Sequence, residues 1–271
     1  MNAQLSLTIG RREFIAAVIG CCSALAAPTA TGNRGMNDIN VIELRQYTQF
    51  GGKREILIEL FEREFVESQA AVGAHVLGIF RDLDDADRFV WLRGFADMPT
   101  RKQALERFYG GPVWRTNKQA ANATMVDSDN VLLLKPYAAR GTFLTTGEPG
   151  KSQSGIYAAR IHALGAADPA LFAQFFEETM RPLLESLDVT PIATLVTETT
   201  PNNFPVLPVR ENESVFVWFG RWPDATSEQQ FADAFARLSG WRDRISPELL
   251  PALARKPERL RLEPTTRSRL R

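Results

Sequence analysis

The sequence predicts an α+β protein made of two tandem ferredoxin-like units, each running β-α-β-β-α-β and packed sheet to sheet as one intramolecular α/β barrel. Two observations carry this. The chain repeats itself at fixed offsets, and both copies pass through alternating and helical hydrophobic periods in the same order.

The duplication is clearest in "VWLRGFADMPTRKQALERFYGGPVW", starting at Val90, and "VWFGRWPDATSEQQFADAFARLSGW", starting at Val217. Trp91 and Trp218, Asp97 and Asp224, Gln103 and Gln230, and Trp114 and Trp241 are all 127 residues apart. Upstream the offset is 115, placing Arg45 on Arg160, Tyr47 on His162 and Phe61 on Phe176. The second copy must therefore gain about a dozen residues. "TTPNNFPVLPVRENES", rich in Pro and Asn, reads as that insertion, a long loop before the third strand.

The elements follow in order. Val41–Tyr47 and His75–Arg81 read as strands around a helix over 53–71, whose apolar residues fall at helical spacing. Arg88–Phe95 alternates as a strand, a helix starts near Pro99, and "VLLLKP" closes the unit. Gly110-Gly111 is read as a helix boundary. In the second copy Asp168-Pro169 supplies an N-cap and a first-turn proline, and "LRLEP" near Leu260 mirrors "VLLLKP". The first unit is expected over 39–136, a Gly/Ser/Pro linker over 137–154 and the second unit over 155–266. The basic tail "TTRSRLR" reads as a frayed terminus.

Ferredoxin-like units cover one sheet face with helices and leave the other bare, so two units in one chain can cover each other. Strand alternation divides the residues between these faces. The expectation is that Ile42 and Leu44 face the helices while Glu43, Arg45 and Tyr47 face the shared interior, with Arg160 and His162 beside them from the second unit. Buried charge needs a partner or a ligand. Glu43 and Arg45 could simply pair. The sharper reading has Arg45 and Arg160 bind a ligand's anionic or carbonyl end, with Glu43 also among the ligand-binding residues and His162 or Tyr47 as the catalytic proton-handling group. Trp91 and Trp218 are candidate walls of that chamber, although alternation leaves open whether they pack under the helices instead. His75, alone at a strand end, reads as structural.

Composition excludes several classes. In 271 residues, 32 basic side chains balance 32 acidic ones, which gives no field for nucleic acid. The only cysteines are Cys21 and Cys22, and with two histidines the chain offers little for a metal site. No resident cofactor or metal is expected, and the Walker, dinucleotide-binding and nucleophile-elbow motifs are missing. Residues 1–30 resemble a twin-arginine export signal, with Arg11-Arg12 before a short apolar run and an A-x-A site at Ala24 and Ala26. That run is too short to span a bilayer. A periplasmic or exported location is expected, or a cytoplasmic one if translation starts at Met36. Val18-Ile19-Gly20-Cys21 also resembles a lipoprotein cleavage box.

"IELRQYTQFGGKREILIELFE" resembles the opening of NIPSNAP-family domains, and "FVWLRGFADMPTRKQAL", with Asp97 and Arg101, resembles their later block. The match is good over 41–136 and faint over 155–264, where Glu43 becomes Ala158 and Arg101 becomes Glu228. The resemblance implies a dimeric α/β-barrel architecture and no particular catalytic residues. The expected function is binding of a small, partly apolar molecule in the inter-repeat cavity. The alternatives are a cofactor-independent monooxygenase or isomerase using that cavity, and an interaction protein with a packed interior. A homo-oligomer is compatible with any of them.

Overall fold

The structure, a computed structural model, describes residues 39–137 and 155–270. The expected export signal, Cys21, Met36 and the expected linker beyond Tyr137 lie outside the described residues.

The first half begins with β1 (Val41–Gln49) and a helical segment made of α1 (Arg54–Leu60), a π-helical turn (Phe61–Phe65) and α2 (Val66–Ala70). It continues through β2 (His75–Asp82), β3 (Arg88–Phe95), α3 (Met98–Tyr109), α4 (Pro112–Asn122) and β4 (Met125–Pro136). The second half repeats this with β5 (Ile156–Ala163), α5 (Pro169–Phe175), a π-helical turn (Phe176–Met180) and α6 (Arg181–Glu185). Then come β6 (Ala193–Thr197), β7 (Val215–Trp222), α7 (Ala225–Arg237), a π-helical turn (Gly240–Ile245), α8 (Ser246–Ala252) and β8 (Glu258–Pro264). The first two π turns fall on equivalent residues. Asp97 and Asp224 cap α3 and α7 identically, each side chain accepting a backbone N–H three residues on at 2.7 Å. The last crossover of the first half is two helices rather than one. Gly110 and Gly111 end α3, and Pro112 starts α4 at its first turn.

The eight strands close into a barrel in the order β1-β3-β2-β8-β5-β7-β6-β4. Each half contributes a four-stranded antiparallel sheet, and the seams are β2 with β8 and β4 with β6. The fold class expected from the repeat and the strand order is the one observed.

The face assignment has to be reversed. Residues from all eight strands, among them Ile42, Leu44, Leu92, Leu134, Val217 and Phe219, meet in one apolar cluster inside the barrel. These six are fully buried. Glu43, Arg45 and Tyr47 point outward, beneath the first half's helices. Arg160 and His162 do the same in the second half. An eight-stranded barrel is just wide enough for side chains to fill, and it has no helix to supply polar partners inside. Aliphatic groups therefore take the interior, and groups needing hydrogen bonds take the sheet–helix layer.

Gly78 shows how tightly that interior is filled. It follows a register shift in β2, and a Cβ there would lie 2.4 Å from the Phe80 ring. We expect Gly78→Ala to cost about 1–3 kcal/mol, read as a lower urea midpoint at unchanged slope. An unchanged midpoint would show that the ring yields freely.

The C-terminal tail is not frayed. Ile79 N–H donates to the Ser268 hydroxyl at 3.1 Å, Leu270 N–H donates to the Leu77 carbonyl at 3.2 Å, and Leu270 joins the barrel interior. Arg267 turns outward to Glu62 and Glu67 on the first half's helices. The charges that suggested a loose end lie on the outer side of an ordered one.

Candidate functional site

The sheet–helix layer of the first half contains a charged cluster set between two apolar ones. Glu43 on β1 sits directly across from Arg93 on β3, and Arg45 across from Trp91. The side chains of Glu43, Arg93 and Arg101 are fully buried and that of Arg45 is 1% exposed. Glu43 receives all three cations. Arg45 Nη1 donates to its Oε2 at 2.7 Å, Arg93 Nη2 to Oε2 at 2.5 Å, and Arg101 Nε to Oε1 at 2.7 Å. Arg93 Nη1 also donates to Gln69 of α2 at 2.9 Å, and Arg45 Nε to the Tyr47 hydroxyl at 2.7 Å. The guanidinium carbons of Arg45 and Arg93 lie 5.6 and 5.0 Å from the Trp91 ring.

Burial alone would raise the Glu43 pKa, but Arg93, Arg45 and Arg101 outweigh it and hold the carboxyl well below the usual range. For Arg101 burial prevails. Burial lowers its pKa by more than the neighbouring Glu43 restores. Tyr47 is raised by burial against the pull of Arg45, so its phenol stays protonated. Three guanidinium groups thus share one carboxylate in a layer closed to water.

Arg101 projects from α3 toward a loop of the other half, residues 198–214, which is the insertion read in the sequence. Its Nη1 donates to Asn202 Oδ1 at 3.0 Å and to Asn203 Oδ1 at 2.7 Å. Its Nη2 is buried with no hydrogen-bond partner. Phe204 stacks on Tyr109 at 5.9 Å and completes the apolar cluster with Met98 and Leu105.

The second half rearranges the same positions. Glu43 corresponds to Ala158, Arg93 to Gly220 and Arg101 to Glu228. The carboxylate has moved from strand to helix, where Glu228 on α7 pairs with Arg160 at 2.9 Å and with Arg259 of β8. This cluster is wetter, with the Arg160 and Arg259 side chains 15% and 29% exposed. Arg160 is pushed down to about 10, by burial first and by Arg259, against Glu228. His162 is buried beside Phe172 and Phe216, and neither ring nitrogen has a hydrogen-bond partner. Burial, helped by Arg160, pushes it down to about 4.

The residues predicted from sequence therefore fall into two groups. Glu43, Arg45, Tyr47 and Trp91 lie together under the first half's helices. Arg160, His162 and Trp218 lie together under the second half's. The structure does not join Arg45 to Arg160, or Tyr47 to His162, in a shared chamber, because strand alternation puts all of them on the outer side of the closed barrel. Sequence reasoning missed Arg93, Arg101, Gln69, Asn202 and Asn203. A signal for Arg101 was available: Glu43 becomes Ala158 where Arg101 becomes Glu228, a paired charge exchange between the two copies. His75, half-buried at the start of β2, is lowered by burial and by Arg269. Among the described residues no cluster of three or more His, Cys, Asp or Glu could hold a metal ion, and no helix is long and apolar enough to cross a membrane.

Comparison with known proteins agrees with this architecture. An anthrone oxidase-like protein superposes with a TM-score of 0.55 at 12% identity, covering 85% of this chain and 93% of its own. A candidate monooxygenase from Lactobacillus acidophilus NCFM gives 0.50 at 12% identity, covering 83% of this chain and 94% of its own. Another, from Fusobacterium nucleatum subsp. nucleatum ATCC 25586, gives 0.51 at 11% identity, with coverages of 83% and 92%. At such identities the likeness is one of fold. No curated protein matches the chain. The NIPSNAP family profile matches residues 42–139, which takes in the β1 strand with Glu43 and Arg45 and the α3 helix with Arg101. The match falls on the first barrel half alone, and it is this half that is similar to NIPSNAP domains.

Proposed function

We propose that the first half binds a small, partly apolar molecule carrying an anionic group, held between the sheet and the helices rather than between the two halves. One observation carries this reading. Three buried guanidinium groups converge on a single carboxylate, and one nitrogen, Arg101 Nη2, is left without a partner. Burying unneutralised charge costs several kcal/mol per ion even after relaxation. An anionic ligand lowers that cost and supplies the acceptor that Nη2 lacks. Tyr109, on which Phe204 stacks, offers aromatic surface for the apolar remainder.

A purely structural role for the cluster fits less well. A structural ion network gains from matched charge, and this one is two cations in excess. The enzyme reading would draw on His162, which lies in the other half, or on Tyr47, whose hydroxyl is held by Arg45 and kept protonated by burial.

The test is calorimetric titration of the full chain with acetate, benzoate and phenylacetate. We expect heat of binding for at least one of them, weakened at least tenfold by Arg101→Gln. That substitution still leaves Glu43 two guanidinium partners, so the fold has no reason to fail. Equal affinity in the two proteins, or no binding of any carboxylate, would exclude the reading.

A further inference from the structure

We infer that residues 199–209 are a displaceable strap over Arg101, and that the ligand's carboxylate replaces the Asn202 and Asn203 side chains on that guanidinium. This rests on the anion-binding reading above and adds to it the ligand's head group and the way in.

The fold does not require the strap. In the first half the equivalent connection between β2 and β3 is only Leu83 to Asp87, whereas β6 and β7 are joined by residues 198–214. The second half also covers its own corresponding bed. Its Phe231 and Trp222 stand where the first half has Ala104 and Phe95, and both are buried. Among the described residues only the first half borrows a lid from its neighbour, and that half holds the unneutralised arginines.

The strap is built like a hinged cover. Its feet are fixed to β4, with Glu198 N–H donating to the Leu133 carbonyl at 2.9 Å and Arg210 N–H to the Val131 carbonyl at 2.8 Å. Its tip is bonded to itself. Phe204 N–H donates to Asn202 Oδ1 at 3.1 Å, Asn202 Nδ2 to the Leu207 carbonyl at 2.9 Å, and Leu207 N–H to the Phe204 carbonyl at 3.0 Å. Between the feet, the polar contacts with the first half are the two bonds from Arg101 and one from Asn203 Nδ2 to the Met98 carbonyl at 2.6 Å. Lifting the tip as a unit breaks these three bonds and draws Phe204, with Leu207 and Val209, off the apolar cluster of Met98 and Leu105, while the feet stay in place.

The way Arg101 is bonded identifies the replacement. Two neutral carboxamide oxygens crowd onto Nη1 while Nη2 stays bare. A carboxylate presents two oxygens at the spacing of the guanidinium fork, so it can engage Nη1 and Nη2 together and bring the missing negative charge. The asparagines are uncharged placeholders for such a group.

Benzoate is the probe, titrated calorimetrically into the wild-type chain, N202A/N203A and R101Q. Removing the placeholders frees the guanidinium edge, so we expect benzoate to bind N202A/N203A about tenfold or more tightly than wild type. N203S alone should move affinity the same way by less, which guards against a refolded loop in the double variant. Equal or weaker binding by N202A/N203A, alongside wild-type binding that R101Q loses, overturns the strap while leaving the anion site standing. Binding that R101Q retains, or no benzoate binding by any of the proteins, overturns both.

Discussion

Replacing Glu43 with alanine should cost the protein on the order of 5 kcal/mol, enough to unfold a domain of ordinary stability near room temperature. Glu43 is the one carboxylate that Arg45, Arg93 and Arg101 share, and each of them is at least 99% buried. Removing one partner of a buried pair is damaging because the other charge remains unhydrated, and here three charges remain. The second half shows how the loss can be compensated. At the equivalent positions it has Ala158 with Glu228, and the helix carboxylate reaches Arg160 at 2.9 Å. Transferring that solution as E43A/R101E should recover much of the deficit. In a double-mutant cycle followed by urea denaturation, the cost of losing Glu43 should be at least about 2 kcal/mol smaller in the R101E background. Equal costs in both backgrounds would mean that Glu43 does not act by neutralising the arginines.

That exchange also marks how far the sequence could be read. The duplication, the strand order, the cap at Asp168 and the long second-half loop could all be inferred, because each depends on local spacing or a local turn. The side of the sheet on which Glu43 and Arg45 lie could not. Alternation separates two faces without saying which one is the interior. Placing the charges inside assumed that the two sheets would leave a polar chamber, whereas the closed barrel is filled by aliphatic side chains. Arg101 could be linked to Glu43 only through the paired exchange to Ala158 and Glu228, because Glu43 lies 58 positions away on another element. Asn202 and Asn203 were visible only as loop composition, since their contact with α3 depends on the two halves being closed into one barrel. In the tail, Arg267 and Arg269 suggested a solvated end, and the alternation of Thr265, Ser268 and Leu270 toward the barrel was obscured by the charges between them.

His162 gives the protein an acid sensitivity that can be separated from that of Glu43. The imidazole is lowered to about 4 by burial, assisted by Arg160, while an unfolded histidine titrates near 6.5. Between those values the unfolded chain binds a proton that the folded chain refuses, so stability falls as pH falls. The stabilisation is fully present above about pH 6.5 and is lost progressively down to about 4, a change of roughly 3 kcal/mol. Glu43, with its depressed pKa, adds its own loss only once the pH drops below the ordinary carboxylate value near 4.5. His75 is also lowered and half-buried, so wild type alone does not isolate His162. The difference between wild type and His162→Phe does. Phenylalanine suits the surroundings of Phe172 and Phe216 and removes two buried nitrogens that have no hydrogen-bond partner. At pH 7.5 the variant should be at least as stable as wild type. At pH 5 it should exceed wild type by about 2 kcal/mol, measured as the shift in urea midpoint. A parallel pH profile for the two proteins would show that His162 takes up its proton in the folded state, and so has a polar partner in the second half's sheet–helix layer.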